Sequence, residues 1–311
     1  MKHICGIDIG GTNIKIGVFS LQPFYLIVKK EITTMKSRGK ALFSYVAEEL
    51  RKLCLENSVD FDSIVGVGIS VPCPVKNGFV VKCANLDISN ISIVEEMKKY
   101  LNKETKVVAA NDANMAAYGE NMSLESPFSN VVFYTMGTGI GGGIIVNGKL
   151  LEGSKGMAGE IGHMLIDDTV GVVCGCGKTG CLEQFTGTYS MLNHTKELLK
   201  NEESSLKKVK KITIKDIFDH AKENDSVALQ VVDKVCKYMG MSASKVAVVL
   251  DPDVFIIGGG ISKAGSFLIE RIKKYYKMYA RFNTTDIPFI LAKSGNDAGI
   301  IGSAYLIKDI V

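Results

Sequence analysis

The sequence of 311 residues contains no tryptophan, only six prolines and only four histidines. It also lacks any apolar run of the roughly 18–20 residues that a membrane-spanning helix needs. The formal net charge of +4 is small, and the densest basic run, Lys207–Lys211, is interrupted by Val209 and contains no aromatic residue. We therefore expect neither a membrane segment nor a nucleic-acid interface.

The amino terminus lacks the features of a secretory signal peptide, because Asp8 interrupts the first apolar run. We therefore expect a cytoplasmic protein, in which the eight cysteines are reduced and clustered ones indicate a metal site rather than disulfides. The chain is also longer than the roughly 250–300 residues at which a single core stops growing. Two domains are therefore expected.

Two segments share one layout, in which a strand leads through a turn rich in Gly and Thr into a returning strand. The first occupies residues 5–19, with its turn at 10–12, and the second occupies residues 130–146, with its turn at Gly137–Gly143. This repetition indicates two related halves, each opening with a hairpin that can contact phosphate.

The remaining hydrophobic patterns alternate between strands and helices, which indicates an α/β protein. Further strands are predicted at Tyr25–Val28, Ile64–Val71, Val107–Ala110 and Val254–Ile257. Helices are predicted at Leu42–Leu53, Ile93–Leu101, Tyr189–Lys200, Ile214–Lys222, Val227–Val249 and Ala298–Ile307.

Three glycine clusters are candidate phosphate or nucleotide elements. In the cluster Asp8–Asn13, glycines allow backbone N–H groups to approach phosphate, and the carboxylate at the strand end calls for a cation such as hydrated Mg²⁺. The segment Gly137–Gly142 matches G-x-G-x-x-G, but a strand follows it instead of the helix of a dinucleotide-binding motif. The third cluster, Gly258–Gly260, ends a strand and is either a nucleotide contact or an ordinary strand-to-helix turn.

The pair Asn111-Asp112 directly follows the predicted strand Val107–Ala110. Catalytic groups of α/β proteins lie at this end of a strand, and a kinase for alcohols needs a carboxylate that accepts the hydroxyl proton. The alternative is that Asp112 caps a helix beginning at Ala113, and one residue can do both.

One histidine and three cysteines form a complete ligand set for tetrahedral zinc: His163, Cys174, Cys176 and Cys181. Four protein ligands leave no open position, so we expect a structural ion that holds a loop.

Two carboxylates, Glu160 and Glu183, flank this set in the sequence. Together with the free nitrogen of a metal-bound imidazole, they are suitable partners for sugar hydroxyls. The alternative is that they are ordinary surface glutamates.

In this order, four motifs resemble those of the ROK family of bacterial sugar kinases: Asp8–Asn13, Gly137–Gly143, Glu160-x-Gly-His163 and Cys174-x-Cys176-x4-Cys181. The resemblance implies an α/β fold of the two-domain, actin-like (ribonuclease H-like) type with the active site in the interdomain cleft. It also implies ATP, Mg²⁺ and structural Zn²⁺ as cofactors, and a homodimer. We expect a lobe of residues 1–112, a larger lobe of 113–296 with the zinc loop, and a final helix, 297–311, that returns to the first lobe.

The resemblance also assigns roles to residues, with Asp112 as catalytic base. The phosphate elements would be Asp8, Gly10, Gly11 and Thr12 and then Gly137, Thr138 and Gly139, with the adenosine element at Gly258, Gly259 and Gly260. The sugar would lie among Asn85, Asn111, Asp112, Glu160, His163 and Glu183, and zinc would be bound by His163, Cys174, Cys176 and Cys181.

Three departures from the glucokinase-like pattern lie on the sugar side. The usual Pro-Gly-Pro is Pro72-Cys73-Pro74, a proline is replaced by Ala84, and a tryptophan is missing. No arginine lies in the motifs to bind a carboxylate or phosphate, so a neutral hexose is expected. Glucose is the first choice, because Cys73 fills space that an N-acetyl group would need. Allose or another epimer, fructose and an N-acetylhexosamine are the alternatives.

Two non-enzymatic functions are alternatives to a kinase. The family includes sugar-responsive transcriptional repressors, which carry a DNA-binding segment ahead of the first phosphate motif. Only seven residues precede Asp8, so we do not expect a repressor. A non-enzymatic sugar-binding protein is the other alternative, and it would not consume ATP when sugar is added.

Overall fold

The structure is a computed structural model that describes residues 1–35, 39–169 and 172–311. Its strands are β1 (His3–Ile9), β2 (Asn13–Ser20), β3 (Tyr25–Thr33), β4 (Ile64–Val71), β5 (Phe79–Cys83), β6 (Ile88–Ser92), β7 (Lys106–Asn111), β8 (Val131–Met136), β9 (Ile140–Val146), β10 (Lys149–Leu150), β11 (Val254–Gly258) and β12 (Phe289–Leu291). Its α-helices are α1 (Ala41–Glu56), α2 (Ile93–Lys98), α3 (Asp112–Met122), α4 (Glu183–Thr186), α5 (Thr188–Leu198), α6 (Ile214–Lys222), α7 (Ser226–Leu250), α8 (Ser266–Tyr279) and α9 (Ala298–Lys308).

Two five-stranded sheets form the centres of two lobes, with the orders β3-β2-β1-β4-β7 and β10-β9-β8-β11-β12. In each sheet the first three strands are antiparallel neighbours, and the next two run parallel to the central strand. The duplicated strand–turn–strand layout predicted from the sequence is thus confirmed.

Side chains of β1 point alternately to the two faces of the first sheet, and both faces are packed. Ile7 and its neighbours on the same face pack with the apolar stripe of α1, whereas Ile4, on the opposite face, packs against Ile307 of α9. Because successive side chains of a strand point to opposite faces, Asp8 lies on the α9 side of the sheet. The larger lobe has its own core, in which α6, α7 and α8 pack on one face of the second sheet.

Helices α3 and α9 lie together between the two sheets. They approach through glycines: a Cβ on Gly119 or Gly302 would overlap backbone atoms of the other helix. Tyr118 of α3 packs with Val131 of the second sheet, while Ala304 of α9 belongs to the core of the first. This pair therefore connects the lobes, and residues of both helices line the cleft between them.

Some predicted boundaries were wrong. The predicted turn Gly137–Gly143 is shorter, because β9 already begins at Ile140. A Cβ on Gly141 or Gly143 would press against Ala113 or Ala117, so these glycines let α3 pack against the strand. The predicted helix Ile93–Leu101 ends at Lys98. Strands β5, β6, β10 and β12 and helices α4 and α8 were not predicted.

Across the described ranges, no helix combines the length and apolar character needed to span a bilayer.

Candidate active site

A cavity of about 860 Å³ separates the lobes. All six residues predicted to bind sugar line it, namely Asn85, Asn111, Asp112, Glu160, His163 and Glu183. Five of the residues predicted to bind the nucleotide line it as well, namely Asp8, Gly10, Gly137, Thr138 and Gly139. The structure therefore brings the whole predicted sugar set and half of the predicted nucleotide set into one space.

Asp8 is the penultimate residue of β1 and lies on the cleft side of the first sheet. Its Oδ1 accepts a hydrogen bond from the buried hydroxyl of Ser70, and its Oδ2 lies against the first turn of α9, where a Cβ on Gly299 would be 2.8 Å away. Burial raises the pKa of this carboxyl, while the bond from Ser70 and the charge of Lys15 lower it. A confined carboxylate of this kind suits a divalent cation.

The turn after β1 is fixed by Thr34, which follows β3. The backbone N–H of Thr34 donates to the carbonyl of Thr12 at 2.8 Å, and its hydroxyl donates to the carbonyl of Gly10 at 2.8 Å. Gly11 and Thr12 lie in this turn but are not among the residues that line the cavity. Their contact with phosphate remains a prediction.

Asp112 is the first residue of α3, at the carboxyl end of β7. The cap of this helix is Asn111, whose Oδ1 accepts from the N–H groups of Ala113 (3.0 Å) and Asn114 (3.2 Å). One oxygen of Asp112 also accepts from the Ala113 N–H, at 2.7 Å. The sequence alternative, in which Asp112 itself caps a helix beginning at Ala113, is thus wrong, and Asn111 carries that role.

The electrostatic surroundings of Asp112 suit a general base. Its pKa is raised to about 6. Burial is the largest cause, and the negative charges of Asp8 and Glu160 add to it. Such a group is ionised at neutral pH and still has appreciable affinity for a proton.

The turn 137–139 of the second lobe is held by hydrogen bonds from the first residue of α5. Thr188 donates to the carbonyl of Gly137 through its backbone N–H at 2.9 Å and through its hydroxyl at 2.8 Å. A Cβ on Gly137 would meet no atom, so this face of the turn is open to a ligand. A Cβ on Gly139, in contrast, would be 2.5 Å from Oε2 of Glu183.

His163 connects the cleft with the cysteine cluster. Its Nδ1 lies 3.3 Å from Sγ of Cys174 and 3.7 Å from Oε1 of Glu183, whereas its Nε2 lies 3.9 Å from Oε2 of Glu160. The imidazole therefore has one nitrogen near the cysteine cluster and the other near Glu160, which lines the cleft. Its contact with sugar remains a prediction.

The cluster fits a zinc ion. The ligand atoms of the four predicted residues, His163, Cys174, Cys176 and Cys181, lie within 4.8 Å of one another. One nitrogen and three sulfurs are a preferred donor set for tetrahedral zinc.

The third glycine cluster lies beside the cavity and outside its lining. Gly259 has a φ of 83° and packs against the backbone of Met136, so a side chain there would overlap that backbone. A Cβ on Gly260 would meet nothing. The role of Gly258–Gly260 as an adenosine contact remains a prediction.

Sequence reasoning missed two parts of the cleft. Lys15, opposite Asp8 in the β1–β2 pair, is the one Lys or Arg among the described residues that line the cavity, and its Nζ donates to the carbonyl of Asn296 at 2.6 Å. Gly295, Asn296, Ala298 and Gly299 also line the cavity. Just before them, the buried carboxylate of Glu120 accepts from the N–H groups of Lys293 and Ser294. Lys15 could have been predicted, because it follows the phosphate motif by two residues. The residues that precede α9 could not, because they reach the cleft through packing that is distant in sequence.

Comparison with known proteins defines the family. The ROK family profile matches residues 4–310, and the chain belongs to the ROK family. It is 37% identical to a glucokinase of Halalkalibacterium halodurans, over 97% of this chain and 94% of the relative, and 29% identical to an N-acetylmannosamine kinase of Haemophilus influenzae, over 98% and 95%.

Among solved structures, the ROK glucokinase of Streptomyces griseus in complex with glucose and AMPPNP has a TM-score of 0.77 at 27% identity, covering 99% of both chains. These findings confirm the predicted family and the predicted two-domain, actin-like fold.

Proposed function

We propose that the chain transfers the γ-phosphoryl group of ATP to the primary hydroxyl of a neutral hexose, with glucose as the first choice. The carrying observation is the position of Asp112, a half-buried carboxyl in the wall shared by the predicted phosphate and sugar residues. Desolvation and the nearby charge of Asp8 raise its pKa to about 6, which suits a base. The names of the relatives, glucokinases and N-acetylmannosamine kinases, support this class of reaction.

The proposed chemistry assigns one proton to Asp112. The sugar hydroxyl oxygen forms a bond to the γ-phosphorus while the bond from that phosphorus to the β,γ-bridging oxygen breaks. The hydroxyl proton passes to the carboxylate of Asp112, and ADP leaves with the electron pair of the broken bond. Such base catalysis contributes about 10²–10⁴ in rate.

The charges of the cleft require cations at the phosphates. Its lining includes four carboxylates, of Asp8, Asp112, Glu160 and Glu183, and Lys15 is their cationic counterpart among the described lining residues. A divalent ion such as Mg²⁺ would be held through Asp8, and it would neutralise developing charge on the phosphates. We propose that Lys15 contributes to the same task from the adjacent strand.

The proposed zinc has a structural role. It would fix the loop that carries His163 and Cys174, and Oε1 of Glu183 lies 2.9 Å from Sγ of Cys174. Holding this loop would place the imidazole and both glutamates where sugar hydroxyls can reach them.

A panel of sugars tests the function and the choice of substrate. We expect ADP release, measured with a coupled assay, to be fastest by kcat/KM with glucose among hexoses, fructose and N-acetylhexosamines. A preference of about tenfold or more for N-acetylmannosamine or allose, about 1.4 kcal/mol, would overturn the choice of glucose and leave the mechanism in place. No sugar-dependent ADP release with any of them would overturn the kinase.

Three further properties belong to the same proposal: a cytoplasmic location, a homodimer, and lobes divided at about residues 112 and 296 that close on the substrates. Closure would exclude water, so that the phosphoryl group reaches sugar instead. Light scattering gives the assembly state, and X-ray scattering at saturating glucose and nucleotide analogue should show compaction.

A further inference from the structure

Ser70 is a fully buried polar residue of β4 that contacts the proposed cation ligand. The β1–β4 register places it directly beside Asp8, and its hydroxyl donates a hydrogen bond to Oδ1 of that residue. Its exposed fraction is 0%, so the hydroxyl cannot exchange this contact for one with bulk water.

The carboxylate of Asp8 is confined on two sides. Ser70 holds Oδ1, and the first turn of α9 lies against Oδ2, so that a Cβ on Gly299 would be 2.8 Å from that oxygen. Removing the hydroxyl of Ser70 would free one side and allow the carboxylate to rotate. The hydrogen bond therefore fixes the direction in which the carboxylate faces the cleft.

The second sheet shows that the fold itself does not require this hydroxyl. There the same register places Gly258 of β11 beside Thr135 of β8. Gly258 thus corresponds in position to Ser70, and Thr135 corresponds to Asp8. The hydroxyl of Ser70 occurs where the acid occurs.

We infer that Ser70 is a positioning residue, whose hydrogen bond orients Asp8 to receive the hydrated divalent cation that accompanies the phosphates of ATP. This inference rests on the proposed function, because it takes Asp8 as the residue that meets the cation. Outer-sphere hydrogen bonds to ligating carboxylates typically change metal affinity by about 10–100-fold.

The test measures cation binding without turnover. Mn²⁺ replaces Mg²⁺ as a paramagnetic probe, and its affinity is measured by electron paramagnetic resonance in the presence of a non-hydrolysable ATP analogue and without sugar. Ser70→Ala should bind the ion about 10–100-fold more weakly than the wild type. Ser70→Cys keeps the volume with a poorer donor and should lie between the two.

A matched control separates this role from general loss of packing. Ser303 of α9 is equally buried, and its hydroxyl donates to a backbone carbonyl of β1, that of Ile7, at 3.4 Å. Ser303→Ala removes a buried hydroxyl beside the same strand without touching a carboxylate. It should leave Mn²⁺ affinity within about twofold of the wild type.

A double-mutant cycle tests whether Ser70 acts through Asp8. In an Asp8→Asn background, adding Ser70→Ala should weaken Mn²⁺ binding no further. The inference is overturned if Ser70→Ala binds Mn²⁺ like the wild type, or if its effect persists in full in the Asp8→Asn background. A wild-type protein that binds no Mn²⁺–nucleotide would instead overturn the proposed function.

Discussion

The two sheets of this molecule share one strand order and one set of strand directions but carry different side chains at the edge that faces the cleft. One row across each sheet shows the contrast. In the first sheet the row reads Lys15, Asp8 and Ser70, and in the second the corresponding row reads Gly141, Thr135 and Gly258.

This difference indicates that the two lobes contribute different groups to the site. The first sheet places charged groups at this edge, and its last strand, β7, leads into Asp112. The second sheet places a turn with open backbone there and is followed by the loop with the cysteine cluster. In the account proposed here, the first lobe supplies the reacting charges, and the second supplies the support for phosphate and sugar.

The largest expected effect comes from removing the charge of Asp112. Asp112→Asn keeps the shape but cannot accept the hydroxyl proton, so kcat should fall by about 10²–10⁴ while glucose affinity by calorimetry changes little. Asp297→Asn is the control, because Asp297 pairs with Lys29 and is not among the residues that line the cavity. Near-normal turnover in Asp112→Asn would exclude Asp112 as the catalytic base.

The second lobe should fail differently, through loss of zinc. Cys174→Ser should lose most of the metal, measured by elemental analysis against one zinc per chain in the wild type, and should weaken glucose binding through His163. Cys236→Ser removes another buried cysteine, in α7, and should lower stability without removing zinc. A wild-type protein without zinc would contradict the assignment.

The third glycine cluster offers a comparison of adjacent positions. Gly259→Ala puts a side chain at positive φ against the backbone of Met136, and should lower the free energy of unfolding by at least about 1–3 kcal/mol. Gly260→Ala points into open space and should leave stability nearly unchanged. Equal effects in chemical denaturation would show that the contact with Met136 does not matter.

The pH dependence tests the surroundings of Asp112. Because its pKa is raised to about 6 and the base must be ionised, kcat/KM should fall about tenfold per pH unit below that value. The same shift acts on stability: ionisation is disfavoured in the folded protein, so this residue's contribution is present below pH 3.8 and is lost as pH rises through about 6. A profile flat down to pH 4 would contradict the pKa.

The smallest effect is expected at the surface of the first lobe. Lys29 and Asp297 form an ion pair at 2.5 Å, but about half of the lysine side chain is exposed. Lys29→Met should therefore change the free energy of unfolding by less than about 1 kcal/mol, as measured in urea. A larger loss would mean that this pair holds the segment 295–299 in place.

Local patterns predicted much of this molecule. The repeated strand–turn–strand units, the stripe of α1 and the grouping of one histidine with three cysteines can each be predicted from residues close in sequence. The structure contains all three. The N-cap at Asn111 was missed because two adjacent polar residues both satisfy the capping pattern.

Partners that are distant in sequence could not be predicted in the same way. Ser70 reaches Asp8 only because β4 pairs with β1, and Glu120 reaches the N–H of Lys293 only because α3 packs beside the segment before α9. The glycines of β9 were interpreted as a turn, since their packing against α3 depends on a helix nearly thirty residues earlier in the chain.

The most direct test of the account follows the phosphorus atoms during the reaction. Wild-type protein, Mg²⁺, ATP and glucose are incubated, and the products are resolved by ³¹P nuclear magnetic resonance. We predict ADP and glucose 6-phosphate in equal amounts, with little inorganic phosphate. ADP accompanied by inorganic phosphate, or ATP left intact while glucose binds, would contradict the proposal that this cleft transfers a phosphoryl group to sugar.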